Sequence, residues 1–200
     1  MAGVKRVNTK KLSRLQVHAL GNAIDLYDDA SLLYKGKRFS TAFFLAVIGI
    51  EEIGKVYILD DIIYNVRVNG SDLSDAQARF QWLFQHRTKQ SQAHNYFRDF
   101  HWSRAKRLEF QEICSGKFDL QKQNSLYVGL EGRKLNGRIL LPSNTTRILA
   151  RKQLRYLYRL LFELANGTLE ETVTLDGDFV EGYLTKATLN RIVRLGRRHA

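Results

Sequence analysis

A single proline, Pro142, interrupts 200 residues, and long stretches of the chain also lack glycine. These two residues are the strongest helix breakers: in a helix interior proline costs ~3 kcal/mol and glycine ~1 kcal/mol relative to alanine. A chain so poor in breakers is constrained toward long helices, and its apolar spacing agrees. Leu12, Leu15, Ala19, Ala23, Leu26 and Ala30 recur at three- and four-residue steps, which predicts a first helix over about residues 9–34. Thr9 is the expected N-cap, and Gly36, within Lys35-Gly36-Lys37, the expected left-handed C-terminal cap.

A second helix is expected to start after Ser40 and reach about Val68, where Asn69-Gly70 is a stop signal. Its first half is apolar on every side, which marks the central helix of a bundle. A third helix is expected from Asp72 or Ser74 to about Phe100, with Phe80, Leu83, Phe84 and Phe97 on its core face, and short helical stretches around residues 103–114. Residues 124–141 read differently. Leu126, Val128 and Leu130 alternate, a glycine-containing turn follows, and Ile139 opens a second short run, the pattern of a hairpin or an irregular ordered loop. Pro142-Ser143 then opens a fourth helix, capped by Ser143 or Thr145 and ending at Asn166-Gly167, and a last helix is expected over about residues 178–195. The expected architecture is an all-α antiparallel helical bundle with a small β-hairpin or irregular insertion. It forms one domain over residues 1–200, with a core over about 9–167 and a basic C-terminal helix within about 178–198.

A chain of this length buries about 70% of the surface its unfolded state exposes, so with 44% hydrophobic residues it needs no staples to fold. One cysteine, Cys114, leaves no intrachain disulfide, which fits a reducing cytoplasm. The basic N-terminus is not followed by an apolar signal core. The longest apolar run, residues 42–50, is also too short for a bilayer, which takes about 20 apolar residues. Cytoplasmic location without a membrane partner is the expectation. The net charge of +12, two thirds of it in the second hundred residues, favours polyanions as partners, RNA first among them.

Three constellations could carry chemistry. The first is Ile50-Glu51-Glu52-Ile53-Gly54-Lys55 in the apolar second helix. Glu51 and Lys55 are four apart with the acid first, so they share a face in the favourable order, while Glu52 points about 100° away. Carboxylates on such a helix must be paired, because burying them alone is costly. The set reads either as a buried ionic staple that fixes helix register or as a polar site at the bundle centre, and Gly54 hints at close approach of another helix or chain. The second constellation lies on the third helix. Arg79 and His86 are seven apart, near one face and about 10 Å along the axis, with Lys89 one turn beyond; Arg87, His94 and His101 form a parallel stripe. A cation and a histidine at that spacing could meet one phosphate, with the imidazole as proton shuttle. The third is Arg191, Arg194, Arg197 and Arg198, either a solvated helix face or a phosphate-contacting stripe. No metal-ligand spacing and no phosphate-cradling glycine loop is present, so no metal or cofactor is expected.

These residues also carry a family resemblance. The segment DASLLYKGKRFSTAFFLAVIGIEEIGKVYIL, residues 29–59, resembles the AbiV-type abortive-infection proteins, a branch of the HEPN superfamily, whose hallmark is the Ile-Glu-Glu-x-Gly-Lys motif found here at residues 50–55. Residues His86 to Lys89 resemble that family's His-x-x-Lys motif. A third match is Leu126-Tyr127-Val128 followed by Pro142 ahead of a helix. The resemblance spans about residues 15–165. It implies a HEPN-like helical fold, frequent homodimerisation, and bacterial defence in which an infected cell stops growing before phage matures.

Many HEPN proteins are metal-independent RNases whose motif is Arg, then a polar residue, then His after four to six intervening residues, with two such pairs meeting at a dimer interface. Here Arg79 is followed by Phe80 and Arg87 by Thr88, which departs from that motif. The resemblance therefore implies one of two functions. One is an endoribonuclease using His86, Arg79, Lys89, Glu51, Glu52 and Lys55, with Arg87, His94 and the C-terminal arginines contacting RNA. The other is a non-catalytic helical protein that engages a phage-encoded or host factor to block translation.

Overall fold

The computed structural model describes residues 8–70, 73–95, 111–113, 115–130 and 137–169. Helix α1 (Thr9–Lys35) opens one residue earlier than expected. Asn8 is its cap, its side chain accepting from the Lys11 amide at 3.1 Å. At its far end Gly36 keeps a negative φ of −74°, and the positive φ falls on Lys37 at 61°. The turn still closes the helix, because the amides of Gly36, Lys37 and Arg38 return to the carbonyls of Leu32, Tyr34 and Leu33.

Helix α2 (Phe39–Val68) runs through the middle of the fold, packed against α1 and against the later helices α4 (His86–Asn95) and α6 (Arg147–Leu169). Its residues Phe43, Ala46, Val47, Ile50 and Ile53 are fully buried among Ala23 and Ile24 of α1, Ala93 of α4 and Leu157, Leu160 and Leu161 of α6. Each such Ile or Leu removed from water contributes roughly 1.5–3 kcal/mol, which offsets the conformational entropy of ordering the helix. The apolar pattern of α2 thus has its cause: over residues 42–59 every residue is buried except Phe44, Leu45, Ile48 and Lys55, which are half-buried.

The expected third helix is two helices. Residues Leu73–Phe80 form α3, Gln81–Phe84 tighten into a 3₁₀ turn, and Gln85 takes an extended conformation (φ −102°, ψ 109°) before α4 begins. The break lets Leu83 join Ile58, Leu59, Ile62 and Ala76 in a small core on the far half of α2, while Ala93 joins the larger core. Neither proline nor glycine marks this break, so nothing local announces it. A short helix that the sequence pattern does not predict follows, α5 (Lys117–Asn124), entered through Gly116 at φ +78°.

Residues Gly129–Leu130 (β1) and Ile139–Leu140 (β2) pair antiparallel, Gly129 opposite Leu140, which resolves the insertion as a minimal hairpin. Pro142–Asn144 form a 3₁₀ turn, and α6 starts beyond it with the Thr146 hydroxyl, not Ser143 or Thr145, accepting from the Leu149 amide at 3.2 Å. Helix α6 also continues past Asn166-Gly167 to Leu169. Among the described residues the fold is all-α apart from the two-residue ladder. The expected C-terminal helix, most of the 103–114 stretch and His101 lie outside the described residues.

Candidate functional site

Helix α2 buries Glu51 to 2% exposure, and four donors from two other elements converge on its carboxylate. From α4, His86 Nδ1 lies 2.7 Å and Lys89 Nζ 3.3 Å from Oε2, and Gln90 Nε2 donates to Oε1 at 2.8 Å. From α5, Lys122 Nζ lies 2.8 Å from Oε1 and 3.0 Å from Asp119 Oδ1. Lys89 and Lys122 are themselves buried, so this is a desolvated cluster and not a surface ion pair.

Burial alone would push the Glu51 carboxyl up. The hydrogen bonds from Lys122 and His86, the Lys122 charge and the Gln90 amide outweigh it, so the net shift is downward and Glu51 stays ionised. That fixes the imidazole. An ionised carboxylate only accepts, so the proton sits on His86 Nδ1 and that nitrogen donates. Nε2 is left as the ring's other nitrogen, and the His86 side chain is 54% exposed. The two ammoniums of Lys89 and Lys122 balance the carboxylates of Glu51 and Asp119, so protonation of His86 would make the cluster cationic.

Gly54 is what lets α4 come this close. A Cβ there would overlap the backbone of Lys89, carbonyl oxygen included. The glycine therefore serves the close approach its position hints at, and the neighbour is the residue whose side chain reaches Glu51 one turn earlier on α2. Gly116 is required at the entry to α5 for a different reason, its left-handed φ of +78°, and the exposed Arg87 guanidinium lies against it. Arg87 of α4 is thus laid against the turn that aims Lys122.

Several expected pairings differ. Lys55 does not share a face contact with Glu51; it pairs with Glu52, three residues back, at 2.5 Å. Glu51 is turned toward α4 and α5, where stronger partners wait. Arg79 does not align with His86, because the Gln85 break ends the common helix axis. Its guanidinium pairs with Asp61 on α2 and lies over the Trp82 ring at 5.8 Å. His94 is no surface stripe with Arg87: it is 6% exposed, its ring 4.6 Å from that of Tyr156 and its Nδ1 hydrogen-bonded to the Tyr156 hydroxyl. Arg191, Arg194, Arg197 and Arg198 lie outside the described residues. The structure therefore brings together Glu51, His86 and Lys89, keeps Glu52 and Lys55 as a pair on the adjacent face, and leaves Arg79 elsewhere.

Sequence reasoning missed Lys122, Gln90 and Asp119. One signal was available for Lys122: it follows Phe118 by four residues, so it shares a helix face with an apolar side chain that is 4% exposed. Gln90 had a similar cue in Ala93, three residues on and fully buried.

Among the described residues, no helix is long and apolar enough to cross a membrane. A family model described as AbiV, of the HEPN type, matches residues 11–154, a span that holds every side chain of the cluster. No curated protein and no solved structure matches significantly.

Proposed function

This chain belongs to the AbiV family of HEPN proteins, and we propose that it is a bacterial antiphage abortive-infection effector that cleaves host or phage RNA without a metal. The observation that carries this reading is the Glu51–His86 pair: a buried, ionised carboxylate bonded to Nδ1 of an imidazole whose ring is half exposed. Such a carboxylate fixes the tautomer and stabilises the imidazolium that forms when Nε2 accepts a proton. Nε2 would take the proton of an RNA 2′-hydroxyl. The 2′-oxygen would attack the adjacent phosphorus, the bond to the 5′-oxygen would break, and a protonated acid would complete the leaving hydroxyl. The products would be a 2′,3′-cyclic phosphate and a 5′-hydroxyl end.

In a homodimer the two-fold mate of His86 would supply that acid, which gives the expected self-association a chemical purpose. Lys89 and Lys122 hold Glu51 ionised, and the cluster turns cationic beside the phosphate once His86 takes up the proton. Arg87 and the C-terminal arginines would contact the RNA backbone. Glu52 and Lys55 fix α2 from the adjacent face, and Arg79, held by Asp61, acts on the fold of α3.

Purified protein is to be incubated with total RNA in the presence of a chelator, and the new ends typed. Cleavage giving cyclic-phosphate ends, lost in His86→Ala, is the expected result. Absence of cleavage, or its survival in His86→Ala, ends this reading.

One observation favours a second reading. Both Glu51 oxygens are fully occupied and 2% exposed, as in a polar core that only fixes helix positions. The protein would then act by engaging a phage-encoded or host factor to block translation. Under this reading His86→Ala changes melting temperature and phage resistance together, with no RNA product to lose.

A further inference from the structure

The groove between α1 and α6 shares no residue with the Glu51 cluster. Tyr27, Leu154 and Tyr158 line it, with Lys35 of α1 and Arg151 and Arg155 of α6 around them, and no carboxylate is among its lining residues. Tyr27 and Leu154 are buried, so the floor is apolar, while the three cations are exposed. The cavity measures about 160 Å³, the scale at which an apolar cavity takes up a single benzene-sized ring.

The cations stand out by what they lack. Arg151 and Arg155 are one turn apart on α6, a spacing at which like charges repel. The next arginine along, Arg159, is relieved by Glu163 at 2.6 Å. Among the described residues, the side chains of Lys35, Arg151 and Arg155 make no hydrogen bond or ion pair. An apolar track also leads away from them. Tyr158 and Phe162 are four residues apart with ring centroids 6.0 Å apart, and Phe162 is 37% exposed. Arg151, Arg155, Tyr158 and Phe162 therefore form one stripe at four- and three-residue steps, running from the groove toward the end of α6.

The sequence that follows α6 complements this stripe. Residues 160–185 contain Glu163, Glu170, Glu171, Asp176, Asp178 and Glu181 and no Lys, Arg or His, in a protein whose net charge is +12. Val173, Leu175 and Phe179 are interleaved with the later acids. Reach selects among the carboxylates. Arg155 and Arg151 lie 14 and 18 residues before Leu169, which is ~21 and ~27 Å back along the helix axis. Asp176 and Asp178 follow Leu169 by seven and nine residues, and a chain of that length spans at most ~25 and ~32 Å. These two acids reach the two arginines with little chain to spare, whereas Glu170 and Glu171 fall short.

We propose that this groove is the docking site of the chain's own acidic segment, residues 170–181, which lies outside the described residues. Asp176 and Asp178 pair with Arg155 and Arg151, and Phe179 enters the apolar cavity beside Tyr27 and Tyr158. Exposed ion pairs alone contribute little, so the buried ring is what makes the docked state persist. Docking ties the start of the basic stretch that carries Arg191, Arg194, Arg197 and Arg198 to the α1–α6 side of the bundle. The proposal does not depend on RNA cleavage, because no residue of the groove or the segment belongs to the Glu51–His86 cluster.

Hydrogen–deuterium exchange of the purified full chain, read by peptide mass spectrometry, tests it. Amides of residues 173–181 are expected to exchange roughly tenfold or more slowly than in an unstructured chain. Arg151→Glu combined with Arg155→Glu should remove that protection while the amides of α2 keep theirs, which separates undocking from misfolding. Adding Asp176→Lys and Asp178→Lys to the same protein re-forms the pairs with reversed sign and should restore protection. Phe179→Ala should remove it as well, and added salt should weaken it. Full-rate exchange of the segment in the wild type overturns the proposal and leaves the groove to another occupant. Protection untouched by the arginine reversal, or not restored by the charge swap, overturns it too. Protection that rises with protein concentration assigns the groove to the acidic segment of a second copy and also overturns docking within one chain.

Discussion

Glu51 and Glu52 are neighbours in sequence and opposites in the structure. Glu51 answers two buried ammoniums and an imidazole, while Glu52 has one lysine partner, Lys55, whose side chain is 28% exposed. Removing one member of a buried ion cluster leaves the others uncompensated and costs roughly 3–5 kcal/mol, whereas in the Glu52–Lys55 pair Glu52 is buried but its single partner reaches solvent, so less is lost. In urea denaturation Glu51→Gln should therefore lose more stability than Glu52→Gln. Equal losses would mean that the Lys122 and Lys89 contacts carry little. The sequence made both carboxylates conspicuous, because an apolar helix cannot bury them alone. It did not say which would recruit the distant partners. Lys122 comes from 71 residues away, and no local pattern encodes a meeting at that range. Local spacing proposed Glu51–Lys55, and tertiary partners with better geometry took Glu51 instead.

Among the elements, the long helices were legible because helical spacing is a local property: α1 and α2 lie within one or two residues of expectation. The break at Gln85 was not, since it arises where one segment must serve two separate cores on α2. Glycines test how much of the α2–α4 docking is steric. Gly21 lies within α1 with nothing within 4 Å of a would-be Cβ, so Gly21→Ala should stabilise by ~0.4–1 kcal/mol through helix propensity and a less free unfolded chain. Gly54→Ala gains the same propensity but drives a methyl into the Lys89 backbone, and overpacking of this kind typically costs ~1–3 kcal/mol. The pair should shift urea midpoints in opposite directions. Hydrogen exchange adds a sharper readout: in Gly54→Ala, the amides of α4 should lose protection while those of α1 keep it. A Gly54→Ala protein with α4 fully protected would show that the helix does not dock where Glu51 needs it.

At the scale of the whole molecule, two carboxyls push the pH profile of stability in opposite directions. Asp60 on α2 is raised to about 6, first by burial and then by the neighbouring charge of Asp61, against the opposing hydrogen bond from Gln16. Its folded pKa lies above its unfolded value of 3.8, so the folded state holds more protons between the two. Stability must then fall as pH rises through that window, by on the order of 2–3 kcal/mol if nothing relaxes, and stay level above it. Glu51 is shifted the other way. Its contribution is present above its ordinary value of 4.5 and is lost as pH falls toward its lower folded value.

The wild-type curve should therefore rise from strong acid as Glu51 ionises, then decline toward pH 6 as Asp60 is forced to charge. Asp60→Asn carries no charge to bury and can still accept from Gln16, so it should erase the decline. The variant should match the wild type near pH 4 and exceed it at pH 7 and above, measured by urea midpoints across that range. A variant that is equally or less stable at pH 7 would mean that water or a shifted side chain already solvates the Asp60 carboxylate. The acid limb, which belongs to Glu51, should be unchanged by the substitution, and that separation identifies which carboxyl governs each side of the curve.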